Sequence, residues 1–289
     1  LAGRPLIVAI QGELGSNSEL AAREYFDSRP IDILPCRSFE DLFGAVEDHR
    51  AGAALVPVEN SLAGSIHDVW DLFLQPCSTP VTGEIRLRVV HCLIGLPGAT
   101  LADVRRVRSH PQALAQCGDY LSTLDGVEIE AVYDTAGAVQ IVKSEGRRQE
   151  AAIASAQAAA DHGMQILAED LSAADNFTRF LVLGDGVQGG GSALKPVHTS
   201  LKTTVILEME HAAAALPAVL GVLAGSGIEV LKVETHKRVG RPWAYGVYLE
   251  FVGTAGPALE QIAGLAAGLC VVGTYPTGII AEPRLHRRP

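Results

Sequence analysis

The sequence predicts an α/β protein followed by a smaller α+β unit, and three observations carry that prediction. Short apolar runs alternate with amphipathic helical segments through residue 184. A glycine-rich stretch, GDGVQGGGS (184–192), then breaks the pattern. Beyond it the order becomes β-α-β-β-α-β over residues 201–280, a ferredoxin-like split βαβ unit.

Taken in order, LIVAIQG (6–12) reads as a strand, with Ser16 and Glu19 opening the next helix. DILPC leads to a helix whose Phe39, Leu42, Phe43 and Val46 share one face. Ala53-Ala54-Leu55-Val56 is a buried strand ending in Glu59-Asn60-Ser61. Ser65 and Asp68 resemble a capping box for the helix carrying Ile66, Val69, Trp70 and Phe73. VVHCLIGL (89–96) reads as one long strand, and the change of direction around Gly83 points to two lobes with a cleft between them. Three further strand–helix units follow, the last with Gly163 just past its helix. The expected sheets are largely parallel. The predicted domains are 1–184 in two lobes, a linker at 185–200, the βαββαβ unit at 201–280 and a tail at 281–289.

Composition narrows the function. Over 289 residues, 48% hydrophobic and 19% charged suits folded domains rather than disorder. A net charge of −10 with no basic block beyond the terminal RLHRRP argues against nucleic-acid binding. No apolar run has membrane-spanning length and the start lacks a signal-peptide layout, so a cytoplasmic protein with no membrane partner is expected. Five cysteines without a CxxC pair fit reduced thiols, and no metal-ligand or phosphate-loop motif is present. Neither metal nor organic cofactor is expected.

Strand-to-helix junctions carry Ser16, Asn17, Ser18, Asn60, Ser61, Ser65, Ser109, Thr135 and Ser155. Each such junction offers free backbone N–H groups, so several facing one cleft make an anion site without lysines. Independent helix caps explain part of this pattern, but not Gln112 and Gln116 one turn apart, nor Thr178 and Arg179 at the mouth of an apolar strand. An arginine there is either a surface charge or a fork for a carboxylate. His67, His91, His110 and His162 stand alone and read as structural, with His67 the likeliest exception.

VPVENSLAGSIHDVWDLF, SHPQALAQC, DTAGAV and DNFTRFLVLG together resemble the prephenate dehydratase family, whose relatives include the arogenate dehydratases. The resemblance implies a two-lobed, periplasmic-binding-protein-like catalytic domain and a C-terminal ACT regulatory domain. It implies decarboxylating dehydration of prephenate to phenylpyruvate in L-phenylalanine biosynthesis, or of arogenate to phenylalanine. Thr178 would protonate or hydrogen-bond the leaving hydroxyl, with Arg179 holding a carboxylate or bracing the loop. Asn60, Ser61, Ser109, Gln116 and Thr135 would bind substrate, and Phe180 would wall its ring. An aromatic amino-acid effector would bind near Ala215, Leu216, Glu234, Thr235 and His236. There the sequence departs from the family: Ala214 replaces a glycine and His236 an arginine, so the response to phenylalanine is expected to be weak or redirected. A homodimer or homotetramer is expected. The competing class is a non-catalytic amino-acid sensor built on the same two-lobed fold.

Overall fold

The structure, a computed structural model, describes residues 4–27, 29–74, 79–184, 200–209, 212–237, 245–254 and 256–284. The expected linker, save Ser200, and the last residues of the tail lie outside them. Lobe 1 contains β1 (Leu6–Gln11), α1 (Asn17–Tyr25), β2 (Ile31–Cys36), α2 (Phe39–Glu47), β3 (Ala53–Asn60), β4 (Gly64–Ser65), α3 (His67–Phe73) and β5 (Val81–Arg88). Lobe 2 contains β6 (Cys92–Gly95), β7 (Arg106–Ser109), α4 (Pro111–Gln116), α5 (Gly118–Leu121), β8 (Glu128–Ala131), α6 (Thr135–Glu145), β9 (Glu150–Ala154), α7 (Ala156–His162) and β10 (Gln165–Ala168). The chain then returns to lobe 1 as β11 (Phe177–Leu183).

Side chains close several helix starts, at Ser16 and Ser155 as the sequence predicts and at Ser38 and Asp134 beside them, while Thr135 lies one residue inside its helix. Ser16, Ser38, Asp134 and Ser155 each accept from the backbone N–H three residues on, an interaction that typically contributes about 1 kcal/mol. Helices α6 and α7 end on Gly146 and Gly163 at φ 65° and 63°, the left-handed conformation that glycine adopts without strain. Ser65 does not cap α3. The residue before α3 is Ile66, with no side-chain cap, and the Ser65 hydroxyl instead donates to Glu234 Oε2 (2.5 Å) in the C-terminal domain.

The sheets are mixed rather than largely parallel. Lobe 1 has the order β16-β5-β11-β3-β1-β2, where β16 is Ile279–Ala281. Strands β1, β2 and β3 are parallel, and β11 runs antiparallel to both β3 and β5. Lobe 2 has the order β10-β6-β9-β7-β8, with β6 antiparallel to β9. The antiparallel strands β5, β6, β10 and β11 are those flanking the two passages between lobes. The first passage is residues 89–91, so the expected strand over 89–96 begins only at Cys92.

The C-terminal domain comprises β12 (Leu201–Met209), α8 (Ala212–Gly225), β13 (Val230–Lys237), β14 (Tyr245–Val252), α9 (Gly256–Ala263) and β15 (Gly268–Pro276). Its antiparallel sheet, ordered β13-β14-β12-β15, has the predicted ferredoxin-like topology. Beyond it β16 pairs in parallel with β5, so residues 279–281 belong to the lobe 1 sheet rather than to the C-terminal unit.

One face of the lobe 1 sheet buries Val8, Ile10, Phe180 and Val182 against α1. The other buries Val56, Leu181 and Leu183 with Trp70 and Phe73, and with Ile206, Tyr248, Val272 and Tyr275 of the C-terminal domain. That shared core seats the C-terminal domain directly behind the strands that reach the cleft.

Candidate active site

Where β3 ends and β11 begins, Asn60 and Thr178 lie opposite each other in antiparallel register. They meet residues of lobe 2 in a cavity of about 90 Å³ lined by Asn17, Asn60, His91, His110, Gln112, Gln116, Thr135 and Thr178, with Val89 and Ala113. Asn17 and Thr135 are the first residues of α1 and α6, and Gln112 is the second of α4. Three helix N-termini therefore converge on a cleft whose lining, among the described residues, carries no Lys, Arg, Asp or Glu. Their free N–H groups favour a negatively charged ligand.

Hydrogen bonding fixes the direction of the Asn60, Asn176 and Gln116 amides. Asn60 Oδ1 accepts from the backbone N–H groups of Leu62 (3.0 Å) and Ala63 (2.9 Å), so its Nδ2 must point the other way. That Nδ2 donates to Thr178 Oγ1 (3.1 Å), Asn176 Oδ1 (2.8 Å) and the Phe177 carbonyl (3.1 Å). Asn176 Nδ2 in turn donates to Gln116 Oε1 (3.0 Å), and Gln116 Nε2 donates to Asn60 Oδ1 (3.2 Å) across the two lobes. Because Thr178 Oγ1 accepts from Asn60, its own O–H is left to donate elsewhere.

The same logic fixes His91. Gln116 Oε1 is an acceptor, so His91 Nε2, 2.9 Å away, carries the proton. His91 is buried and its Nδ1 has no hydrogen-bond partner among the described residues. Burial pushes its pKa down, against the smaller opposing effect of the Gln116 hydrogen bond, and the neutral ring is favoured. His110 precedes α4, and its Nδ1 accepts from the Gln112 N–H (3.2 Å).

Of the residues expected in the site, Asn60, Gln116, Thr135 and Thr178 are brought together; Ser61, Ser109, Phe180 and Arg179 lie outside the cavity lining. Ser61 Oγ donates to the Asp175 carbonyl (2.5 Å) and accepts from the Phe177 N–H (2.8 Å), stapling the approach to β11. Ser109 is fully buried and donates to the Ile153 carbonyl (2.6 Å), joining β7 to β9 behind the cleft. Phe180 belongs to the core against α1, not to the cleft wall. Arg179 points to the opposite face of β11, where its Nε donates to Glu84 Oε2 (2.7 Å), its Nη1 to Glu59 Oε2 (3.3 Å) and its Nη2 to Glu250. Its guanidinium is engaged by three carboxylates of the protein, and Arg179 also lines, with Ser61, Glu59 and Arg86, a second cavity of about 370 Å³.

The expected effector residues face other surfaces. Ala215 and Leu216 pack on the core of the C-terminal domain, and Thr235 is exposed; the side chain of Ala214 lies outside the described residues. Glu234 pairs with Lys232 (3.2 Å) and Ser65, and His236 stacks on His67 with ring centroids 4.7 Å apart. Thus Glu234 and His236 face lobe 1, and His67 sits at the domain junction rather than in the cleft. Sequence reasoning missed His91, His110 and Asn176. Asn176 stood within the quoted DNFTRF motif, and His110 directly follows a strand end, where ligand-facing residues of α/β folds occur. Among the described residues no group of three or more His, Cys, Asp or Glu has metal-binding geometry, and no helix is long and apolar enough to cross a membrane.

Known proteins resemble this chain in sequence and in fold. Residues 8–187 match the family described as prephenate dehydratase. The chain is 36% identical over 290 residues to arogenate dehydratase/prephenate dehydratase 2, chloroplastic, of Arabidopsis thaliana, covering 95% of this chain and 74% of that protein. It is 35% identical over 277 residues to a bifunctional N-acyl-homoserine lactone acylase/prephenate dehydratase of Komagataeibacter europaeus, covering 93% and 95%. Among solved structures it resembles GqqA, described as a novel type of quorum quenching acylase (TM-score 0.79, 33% identity, 94% and 98% coverage). It shares its fold with the prephenate dehydratase of Arthrobacter aurescens solved with L-Phe (TM-score 0.80, 24% identity, 94% and 90% coverage).

Proposed function

The chain belongs to the prephenate dehydratase family, and from that premise we propose that it converts prephenate to phenylpyruvate in L-phenylalanine biosynthesis. The prephenate dianion takes up one proton and yields the phenylpyruvate anion, CO2 and water. The electron pair of the ring carbon–carboxylate bond moves into the ring as the carbon–oxygen bond breaks with its pair on oxygen. Aromatisation drives the reaction, so the protein's task is to hold an anion, assist the departing hydroxide and keep the leaving groups aligned.

One observation carries this reading: Asn60 Nδ2, oriented by two backbone amides, donates to Thr178 Oγ1 and leaves the Thr178 proton free for the leaving oxygen. A threonine hydroxyl is a weak acid, so positioning and electrostatics supply more of the rate than its acidity does. Gln116 and Thr135 bind the substrate's polar groups while Asn60 orients Thr178, and the N-termini of α1, α4 and α6 favour its carboxylates. Arg179 braces β11 from behind.

A second reading, arogenate dehydration, is supported by the names of the plant relatives. Purified protein is incubated with each compound, following phenylpyruvate absorbance from prephenate and phenylalanine from arogenate. Prephenate turnover that persists after dialysis against a chelator is expected. Formation of neither product would contradict both readings and favour a non-catalytic sensor.

The C-terminal domain is assigned as an ACT regulatory domain in a cytoplasmic homodimer or homotetramer. Its edge strand β13 shows Leu231 and Val233 to solvent, a surface that a second copy covers. Light scattering tests the assembly. Because Glu234 and His236 are engaged with lobe 1, titration with phenylalanine should show weak or redirected inhibition by an aromatic amino acid.

A further inference from the structure

Behind the cleft lies a buried cluster of four charges contributed by both domains. Arg179 of β11 and Glu84 of β5 come from lobe 1; Lys202 of β12 and Glu250 of β14 come from the C-terminal domain, and all four are buried. Arg179 bonds Glu84 and Glu250, and Lys202 Nζ contacts Glu84 and lies 3.4 Å from Glu250 Oε2. Thr204 Oγ1 (3.3 Å) and the Tyr248 hydroxyl also donate to Glu250 Oε1. Burial pushes the Glu250 carboxyl up, but Arg179 and Lys202 outweigh it and hold the pKa down at about 2. Two positive and two negative groups thus balance where water is excluded. A second tie runs from Lys232 of β13 to Glu59 Oε1 (2.8 Å).

The register of β3 and β11 gives these ties their consequence. Thr178 pairs with Asn60, and the next pair along the strands is Arg179 with Glu59. Side chains alternate between faces, so the first pair faces the cleft and the second faces the C-terminal domain. We propose that Glu250 and Lys232 of the C-terminal domain are positioning residues for the dehydration, setting the pose of Thr178 and Asn60 through Arg179 and Glu59. The role in turnover rests on the reading of Thr178 given above. A misplacement of about 1 Å in a reacting group can cost about 10²-fold in rate, and each tie acts one residue from such a group. A ligand that favours a different seating of β13 or β14 acts on the cleft through these contacts.

The test uses the full chain carrying Glu250→Gln, which keeps the side chain's volume and removes its charge. A kcat lower by about 10-fold, with KM for prephenate within about two-fold, is expected for a group acting on transition-state alignment rather than binding. Native-state hydrogen exchange should show lost protection at residues 59–60 and 178–179, with β9 in lobe 2 unchanged. Lys232→Met, at a more exposed pair, should lower kcat about three-fold with the same exchange pattern, and it tests the route should Glu250→Gln fail to fold. Parental kcat and parental exchange at 178–179 in a folded variant would overturn the inference while leaving the dehydratase reading intact. If the unsubstituted protein turned over neither prephenate nor arogenate, the dehydratase reading would fail and with it the role in turnover. Exchange would then still decide whether the two domains are coupled.

Discussion

The two faces of the β3–β11 strand pair differ in nearly every physical respect. Facing the cleft, Asn60 and Thr178 join neutral amides, a hydroxyl and a neutral imidazole, each donor aimed by the next. Facing the C-terminal domain, Glu59 and Arg179 join a nest of full charges that ties Glu84 and Glu250 to the strand pair. A substrate dianion is well served by oriented dipoles, which need no counter-charge of their own and do not reorganise during the reaction. The charges stand one residue away, where they hold the strands together and connect the domains. Chemistry and coupling are divided by the alternation of a single strand.

The largest expected effect lies on the cleft face. Thr178→Ala should lower kcat by about 10²-fold or more with little change in KM, the scale for losing one positioned donor to a developing oxyanion. Steady-state kinetics with prephenate check this, and near-parental kcat in a folded variant would remove Thr178 from the reaction.

Arg179 should give a smaller loss of a different kind. Lysine cannot reach three carboxylates with one planar fork, so Arg179→Lys should lower kcat by about 10-fold while KM stays within about two-fold. A KM that rises strongly would mean that Arg179 does meet substrate, and the contrast between the faces would collapse. Arg179→Met removes the charge as well and leaves Glu84 and Glu250 short of a partner, at a cost of about 3–5 kcal/mol of stability in denaturant titration.

His91 offers the smallest effect and a pH signature. Its folded pKa is lowered by burial, so below the unfolded value of about 6.5 the unfolded chain binds the extra proton and the folded chain resists it. Stability from this group is therefore lost as pH falls from about 6.5 toward the folded pKa, and is constant above that window. His91→Leu should weaken the decline between pH 7.5 and 5.5, measured as denaturation midpoints beside the parent. It should lower kcat only about three-fold, because Asn176 still donates to Gln116.

Much of this arrangement was legible in the sequence. Period-2 and helical apolar patterns marked the alternating α/β units and the βαββαβ order, and polar residues stood out where the motifs fall: Asn60 and Thr178 at strand ends, Thr135 at a helix start and Gln116 one turn after Gln112. The separation of Thr178 from Arg179 was also legible in FTRFLVL, since an alternating strand cannot aim neighbours into one cleft. Reading the two as one motif obscured it. Other features depend on partners far along the chain. Ser65 resembles a helix cap because local rules favour that role, but Glu234 and Lys232 capture its hydroxyl. The apolar run VVHCLIGL hides the passage between lobes because burial, not strand pairing, keeps Val89 and His91 inside. Ser109 and Phe180 carry the chemistry and size of site residues, and only the packing shows that a carbonyl and a core claim them.

The central claim is that Asn60 aims the Thr178 proton into the cleft, and Asn60→Asp tests it most directly. The substitution keeps size and shape but replaces the donating Nδ2 by an oxygen, so the Thr178 hydroxyl donates to residue 60 instead of to the substrate. The measurement is kcat with saturating prephenate. The account predicts a loss approaching that of Thr178→Ala, about 10²-fold; a folded variant within two-fold of the parent would contradict it.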